Sequence, residues 1–399
     1  MLFMKSSLVK KSVLPAVFVG SALLLGARTW TDVKGRKIEA DIVSKTTSAV
    51  VVKKKGKEIT IPLVKLSQAD RDFVAGWEAP SDEVVKKDEG KVTDAKVEEY
   101  FNLPWPKLIS ADNGLEIEET SGPNETYVYR SPNYEFVSDT KLSKVVVKRF
   151  AVLFEATRLY VQQMPYASLK AYKEGANYKV MLFDSMNSYH RAGGPVGSAG
   201  VYIPSKDIIM VPCQSLGLVR RGSSWALDYD KTNKTLPHEI THQLTDREYY
   251  APGARGWFSE GFAEYIAATP YRSGKFTANK AESSIEQYVT NFSKKDGRGR
   301  NLGTEINAPD LKKFMMMSYG EFTANGNFNY GLGALLVTYF NHYDGEGDGE
   351  NLKNFLRALK AGKKGEEALE ALRAGRSFEE LEADITKGWR KRGVKINFG

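Results

Sequence analysis

Leu236-Pro237-His238-Glu239-Ile240-Thr241-His242-Gln243-Leu244 decides how this chain is read. Thr235 can cap a helix that starts here, and Pro237 suits its first turn, where a missing N–H is no loss. On such a helix His238 and His242 stand at i and i+4, with Cβ atoms about 5–6 Å apart on one face. Two imidazoles at that spacing can chelate one metal ion. Glu239 is rotated by one residue, beside the open face of such an ion, where a carboxylate can take a proton from a metal-bound water.

Motifs this short also arise by chance, so a second segment has to support the first. Trp257-Phe258-Ser259-Glu260-Gly261-Phe262-Ala263-Glu264-Tyr265 reads as the start of another helix, with Phe258, Phe262 and Ile266 on an apolar stripe. Glu260 and Glu264 share a face at i and i+4, which is mildly unfavourable for like charges unless something neutralises them. A metal on Glu260 and a histidine N–H donated to Glu264 would do so. Zinc held by two histidines and one glutamate, with water in the fourth position, is a known open catalytic arrangement. Glu264 would then orient a ligand histidine. Seventeen residues separate His242 from Glu260, and Pro252-Gly253 and Arg255-Gly256 supply the turns that fold one helix back on the other.

The paired motif resembles the gluzincin metallopeptidases: HExxH on one helix, and the glutamate ligand on the next inside Trp-x-x-Glu-Gly-x-Ala-Glu-Tyr. The resemblance covers residues from about 130 to 395, and its specific part is 236–265. It implies that His238, His242 and Glu260 bind zinc and that Glu239 is the general base. It also implies a donor for the oxyanion. Asn329-Tyr330-Gly331-Leu332-Gly333-Ala334-Leu335-Leu336 resembles the helix that carries such a tyrosine, making Tyr330 the candidate and His342, late in the same helix, the alternative. The strand Asp207–Val211 would border the cleft and pair with substrate backbone.

Working outward, residues 96–234 mix strands and helix. Leu115–Thr120, Thr126–Arg130 and Tyr134–Val137 alternate as strands do, and Tyr178–Phe183 is an apolar run. Gly200–Pro204 and Asp207–Pro212 read as a hairpin turning at Ser205-Lys206. Residues 141–163 follow a helical period, with Val146, Phe150, Leu153, Phe154, Thr157 and Tyr160 on one stripe. Beyond residue 234 the chain is mainly helical. The expected class is α+β: a zincin-like metallopeptidase domain over 96–399, with a mixed sheet, an active-site helix and a helical C-terminal subdomain.

Residues 28–77 read as a separate small β unit. Lys37–Val43, Ala49–Lys53 and Glu58–Pro62 are strand-like, Lys54-Lys55-Gly56-Lys57 is a turn, and Ser67 caps a short helix with Asp70 three residues on. Arg28-Thr29-Trp30-Thr31-Asp32, Gly35-Arg36, Ile61-Pro62-Leu63 and Leu66-Ser67-Gln68-Ala69-Asp70 resemble the Sla-one homology module. That resemblance implies an SH3-like β-barrel for binding or spacing. Residues 78–95 are charged and poor in large apolar side chains, and read as a linker.

At the N-terminus Lys5, Lys10 and Lys11 precede an apolar run, Val13–Ala27, with small residues at its end. Residues 1–27 are therefore expected to be a signal peptide, and the mature chain to be secreted, periplasmic or in the cell envelope. A membrane becomes a partner only if that segment stays uncleaved. The lone Cys213 excludes a disulfide framework. The net charge is +8, yet residues 28–77 alone hold eleven Lys and Arg against six Asp and Glu. The basic module suits an anionic envelope polymer, whereas an exported location argues against nucleic acid.

Other signals are discounted. Gly331-x-Gly333 lacks the third glycine and preceding strand of a dinucleotide fingerprint. Asp344-Gly345-Glu346-Gly347-Asp348-Gly349 resembles a calcium loop, but Phe355 falls where an EF-hand needs glutamate. His190 belongs to a surface turn, and Met315-Met316-Met317 to core packing. The function expected is a zinc metallopeptidase acting on a peptide or protein substrate. The alternative is a catalytically silent, peptidase-like binding protein of the envelope; an intact Glu239 favours the first.

Overall fold

Short β-branched runs build the first of two compact units. The computed structural model describes residues 28–45, 49–54, 57–76, 93–122, 126–173, 178–222, 224–228, 236–291 and 299–399. The expected signal segment, residues 78–92 of the linker, Lys55-Gly56, Pro123-Asn124 and Thr235 lie outside these. In the first unit β1 (Arg28–Thr31), β2 (Lys37–Lys45), β3 (Ala49–Lys54) and β4 (Lys57–Pro62) form an antiparallel meander in chain order. Trp30, Ala40, Val50, Val52, Leu66 and Val74 make its core. The Trp30 indole N–H donates to Ala40 O at 2.9 Å, so the ring is buried without losing a hydrogen bond. Helix α1 (Gln68–Gly76) follows, with Ser67 Oγ accepting the Asp70 N–H at 3.2 Å, as the capping pattern predicts.

The second unit starts earlier than the sequence suggests. Thr93 caps α2 (Asp94–Phe101), so residues 94 and 95 are helix, not linker. After β5 (Ile109–Ser110), the strands β6 (Glu118–Ser121), β7 (Tyr127–Arg130) and β8 (Tyr134–Ser138) run antiparallel. Helix α3 (Lys144–Gln163) then crosses over to β9 (Tyr178–Phe183), which lies parallel to β8. The stripe read from the sequence is the buried face of α3, Leu153 being only half-buried. Helix α4 (Met186–Arg191) leads to the hairpin of β10 (Val201–Ile203) and β11 (Ile208–Pro212), with β11 parallel to β9. The six-stranded mixed sheet runs β10-β11-β9-β8-β7-β6. Strand β11 is therefore flanked on both sides. The strand expected to border a cleft is interior, and β10 is the edge.

A ribbon of β12 (Leu218–Arg221) and β13 (Ser224–Leu227) precedes the helices. Helix α5 (Leu236–Leu244) packs on α3, β10 and β11, and α6 (Trp257–Ala268) packs on α5. All twelve residues of α6 are buried, as expected of a helix apolar on nearly every face. The chain continues through β14 (Tyr271–Arg272), β15 (Lys275–Phe276), α7 (Ala281–Thr290), β16 (Glu305–Ala308), α8 (Leu311–Met315), α9 (Tyr319–Ala324) and α10 (Gly326–His342). It ends with α11 (Glu350–Lys360), α12 (Glu366–Arg373), α13 (Phe378–Arg390) and β17 (Lys395–Phe398). The sequence missed the short pairings β14-β15-β5 and β16-β17. The result is a mixed α/β unit with a helical C-terminal region. Among the described residues no helix is long and apolar enough to cross a membrane.

Helix α10 approaches α6 closely where Gly333 faces Gly261. A Cβ on Gly261 would stand 2.4 Å from Gly333 O, so neither position has room for a side chain. Gly333 is therefore explained by packing against the helix that carries Glu260, whereas a Cβ on Gly331 would stand 2.8 Å from the Leu302 side chain.

Candidate metal centre

Helices α5 and α6 bring three side-chain donors to one point. His238 Nε2 and His242 Nε2 lie 3.0 Å apart, and Glu260 Oε2 lies 3.1 Å from each. All three residues are buried, and their donor atoms form the cluster of His, Cys, Asp or Glu able to hold an ion among the described residues. Zinc bonds of about 2.0–2.1 Å in a tetrahedron would set donors about 3.3 Å apart, close to what is seen.

The surroundings fix which ring nitrogens face inward. Tyr250 gives its hydroxyl proton to His242 O at 3.1 Å and lies 3.1 Å from His242 Nδ1, so it accepts from that nitrogen. His238 Nδ1 stands 2.9 Å from Glu264 Oε1, although out of line for a formal hydrogen bond. With protons assigned to both Nδ1 atoms, the two Nε2 lone pairs and a carboxylate oxygen face one another. A cation at their centre relieves that repulsion, so the donor set fits a metal.

Glu264 is the electrostatic anchor beneath the site. Its Oε2 accepts from Tyr288 OH and from Arg300 Nε at 3.1 Å, and Arg300 Nη2 lies 2.8 Å away. Burial alone would raise its pKa, but His238, Arg300 and Tyr288 outweigh burial and hold it at about 2. Glu260 is likewise driven well below the usual carboxylate range: its burial is overcome by His242 and His238. Burial pulls His238 down, but the neighbouring carboxylates of Glu260 and Glu264 raise it well above its ordinary value in the metal-free state.

Glu239 is half-buried and points toward the sheet edge. Its Oε2 accepts the backbone N–H of Tyr202 in β10 at 2.9 Å, so the edge strand fixes the carboxylate beside the cluster. Tyr330 reaches the site from α10: its ring stacks against that of His238 with centroids 5.9 Å apart, and the Arg300 guanidinium lies 5.1 Å from the centre of the Tyr330 ring. Tyr319 OH donates to Glu260 Oε1 at 3.2 Å.

The structure thus brings together His238, Glu239, His242, Glu260, Glu264 and Tyr330. His342 is elsewhere. It sits twelve residues along α10 from Tyr330, about 18 Å of helix, and pairs with Tyr265 OH at 2.9 Å. It lines a separate cavity of about 240 Å³ with Trp105, Tyr160 and Glu282. His190 bonds Gly194 O at 3.0 Å in the turn after α4. Asp344, the first carboxylate of the glycine-rich acidic loop, is spent on Arg376, Asn351 and Tyr339. The sequence reading missed Tyr250, Tyr288, Arg300, Tyr319 and the Tyr202 N–H. Each comes from a segment with no periodic or motif relation to the HExxH helix.

Comparison with models of known protein families, with curated proteins and with solved structures finds no match to this chain.

Proposed function

We propose that this chain is a zinc-dependent peptidase of gluzincin type, with a zincin-like unit formed by residues 93–399. The observation that carries the proposal is the convergence of His238, His242 and Glu260, with Glu239 on the same helix as both histidines. When bound, zinc would lower the pKa of a coordinated water to about 7 and polarise the scissile carbonyl. Glu239 holds the proton removed from the attacking water and passes it to the leaving amine nitrogen. The Tyr202 N–H occupies one carboxylate oxygen and leaves the other for that proton. Glu264 and Tyr250 hold the ligand imidazoles in orientation. The Tyr330 hydroxyl is the proposed donor to the developing oxyanion.

The first unit is proposed as an SH3-like binding or spacing module, supported by its four-stranded meander and independent core. Its basic composition favours an anionic envelope polymer. Export through residues 1–27 is supported by the basic start and apolar run, and N-terminal sequencing of the mature protein tests it. The activity test uses quenched fluorescent peptides. Cleavage that stops with 1,10-phenanthroline and returns with zinc supports the reading. Glu239→Gln is expected to keep zinc and lose at least about a hundredfold in rate. A zinc-loaded wild type that cleaves no peptide or protein would contradict it.

A further inference from the structure

We propose that Tyr319 is a positioning residue for Glu260: it holds one carboxylate oxygen so that the other alone faces the two histidines. The inference rests on the metal-site reading above. The two oxygens of Glu260 have different partners. Oε2 is the atom 3.1 Å from both imidazole nitrogens, whereas Oε1 accepts the Tyr319 hydroxyl at 3.2 Å. A carboxylate with one oxygen engaged in this way is set to bind a metal through a single atom, which leaves room for water.

The placement of Tyr319 is built, not incidental. Ser318 caps α9 through a reciprocal box with Glu321, which fixes the first turn. Phe322, three residues on and on the same face, is fully buried against Phe314 and Tyr330. The Arg255 guanidinium lies 4.6 Å from the centre of the Tyr319 ring. Arg255 precedes α6, so the helix that bears Glu260 and the turn that leads into it both grip the same tyrosine. The ring is nonetheless 37% exposed, unlike Glu264 and Tyr250, so Tyr319 works from the solvent side of the ligand. A neutral hydroxyl suits this position: it restrains the carboxylate without draining the negative charge that holds the cation.

The test compares the full chain with its Tyr319→Phe variant in two ways. Zinc affinity is measured by competition with a chromophoric chelator, and the visible spectrum is recorded after cobalt(II) substitution. The variant is expected to bind zinc about tenfold to a hundredfold more weakly. Its cobalt spectrum should weaken as the freed oxygen turns inward, while the metal-free melting temperature stays unchanged. An affinity within twofold of wild type overturns the inference, whatever the spectrum. Weaker binding with an unchanged spectrum overturns the single-oxygen claim. A wild type that takes up neither metal overturns the site reading itself, and with it this inference.

Discussion

Glu264 carries no chemistry of its own, yet its ionisation should be visible in stability. Its pKa falls from the usual 4.5 to about 2 in the folded chain, against a burial that would raise it. A depressed folded pKa contributes stability that is present above about pH 4.5 and lost as pH falls toward 2, with a magnitude near 3 kcal/mol. The raised pKa of His238 reflects Glu260 as well as Glu264, and its Glu264 part is the same interaction counted from the other side. Metal-free Glu264→Gln should therefore melt lower than wild type at pH 6, and the gap should close toward pH 2; a constant gap across that window would count against the account. Glu264→Ala should also weaken zinc about tenfold or more through loss of the His238 contact, measured by chelator competition. At this scale the sequence was most legible where the clustered side chains sit a helical turn apart, as with His238 and His242 or Glu260 and Glu264. Arg300 and Tyr288 were not legible, because an isolated arginine or tyrosine in a distant segment has no spacing that ties it to the site.

The elements hold the site through one close helix crossing. Gly261→Ala would drive a methyl group to 2.4 Å from the Gly333 carbonyl oxygen, a backbone atom that cannot step aside. The helices α6 and α10 must then separate, at a cost of about 1–3 kcal/mol, and Glu260 moves with its helix. Thermal denaturation should show a lowered melting temperature and chelator competition a weaker metal; a variant that matches wild type in both would contradict this packing. The long elements were readable because periodicity accumulates over many residues, as in α3 and the run Tyr178–Phe183. The identity of the edge strand was not. Both Val201–Ile203 and Ile208–Pro212 are short and apolar, and only their pairing with β9 decides which one faces outward. The two-residue strands β5, β14 and β15 are fixed by long-range contact and have no pattern to read.

Across the whole molecule, two units each enclose their own core, one built on Trp30 and one extending from Phe101 to Ile396. The entire candidate site belongs to the second. Residues 93–399 expressed alone should therefore bind zinc with the affinity of the full chain, and isothermal titration tests it; an affinity more than about tenfold weaker would mean that the first unit contributes to the site. The division into a small β unit and a larger mixed one was legible from the charged, apolar-poor stretch after residue 77, although the boundary fell within helix α2 by two residues. The central claim is the metal. Mass spectrometry of purified protein should find about one zinc per chain, absent from Glu260→Ala and His242→Ala but retained in Glu239→Gln. No bound metal after dialysis against zinc, or stoichiometric iron in its place, would contradict the account.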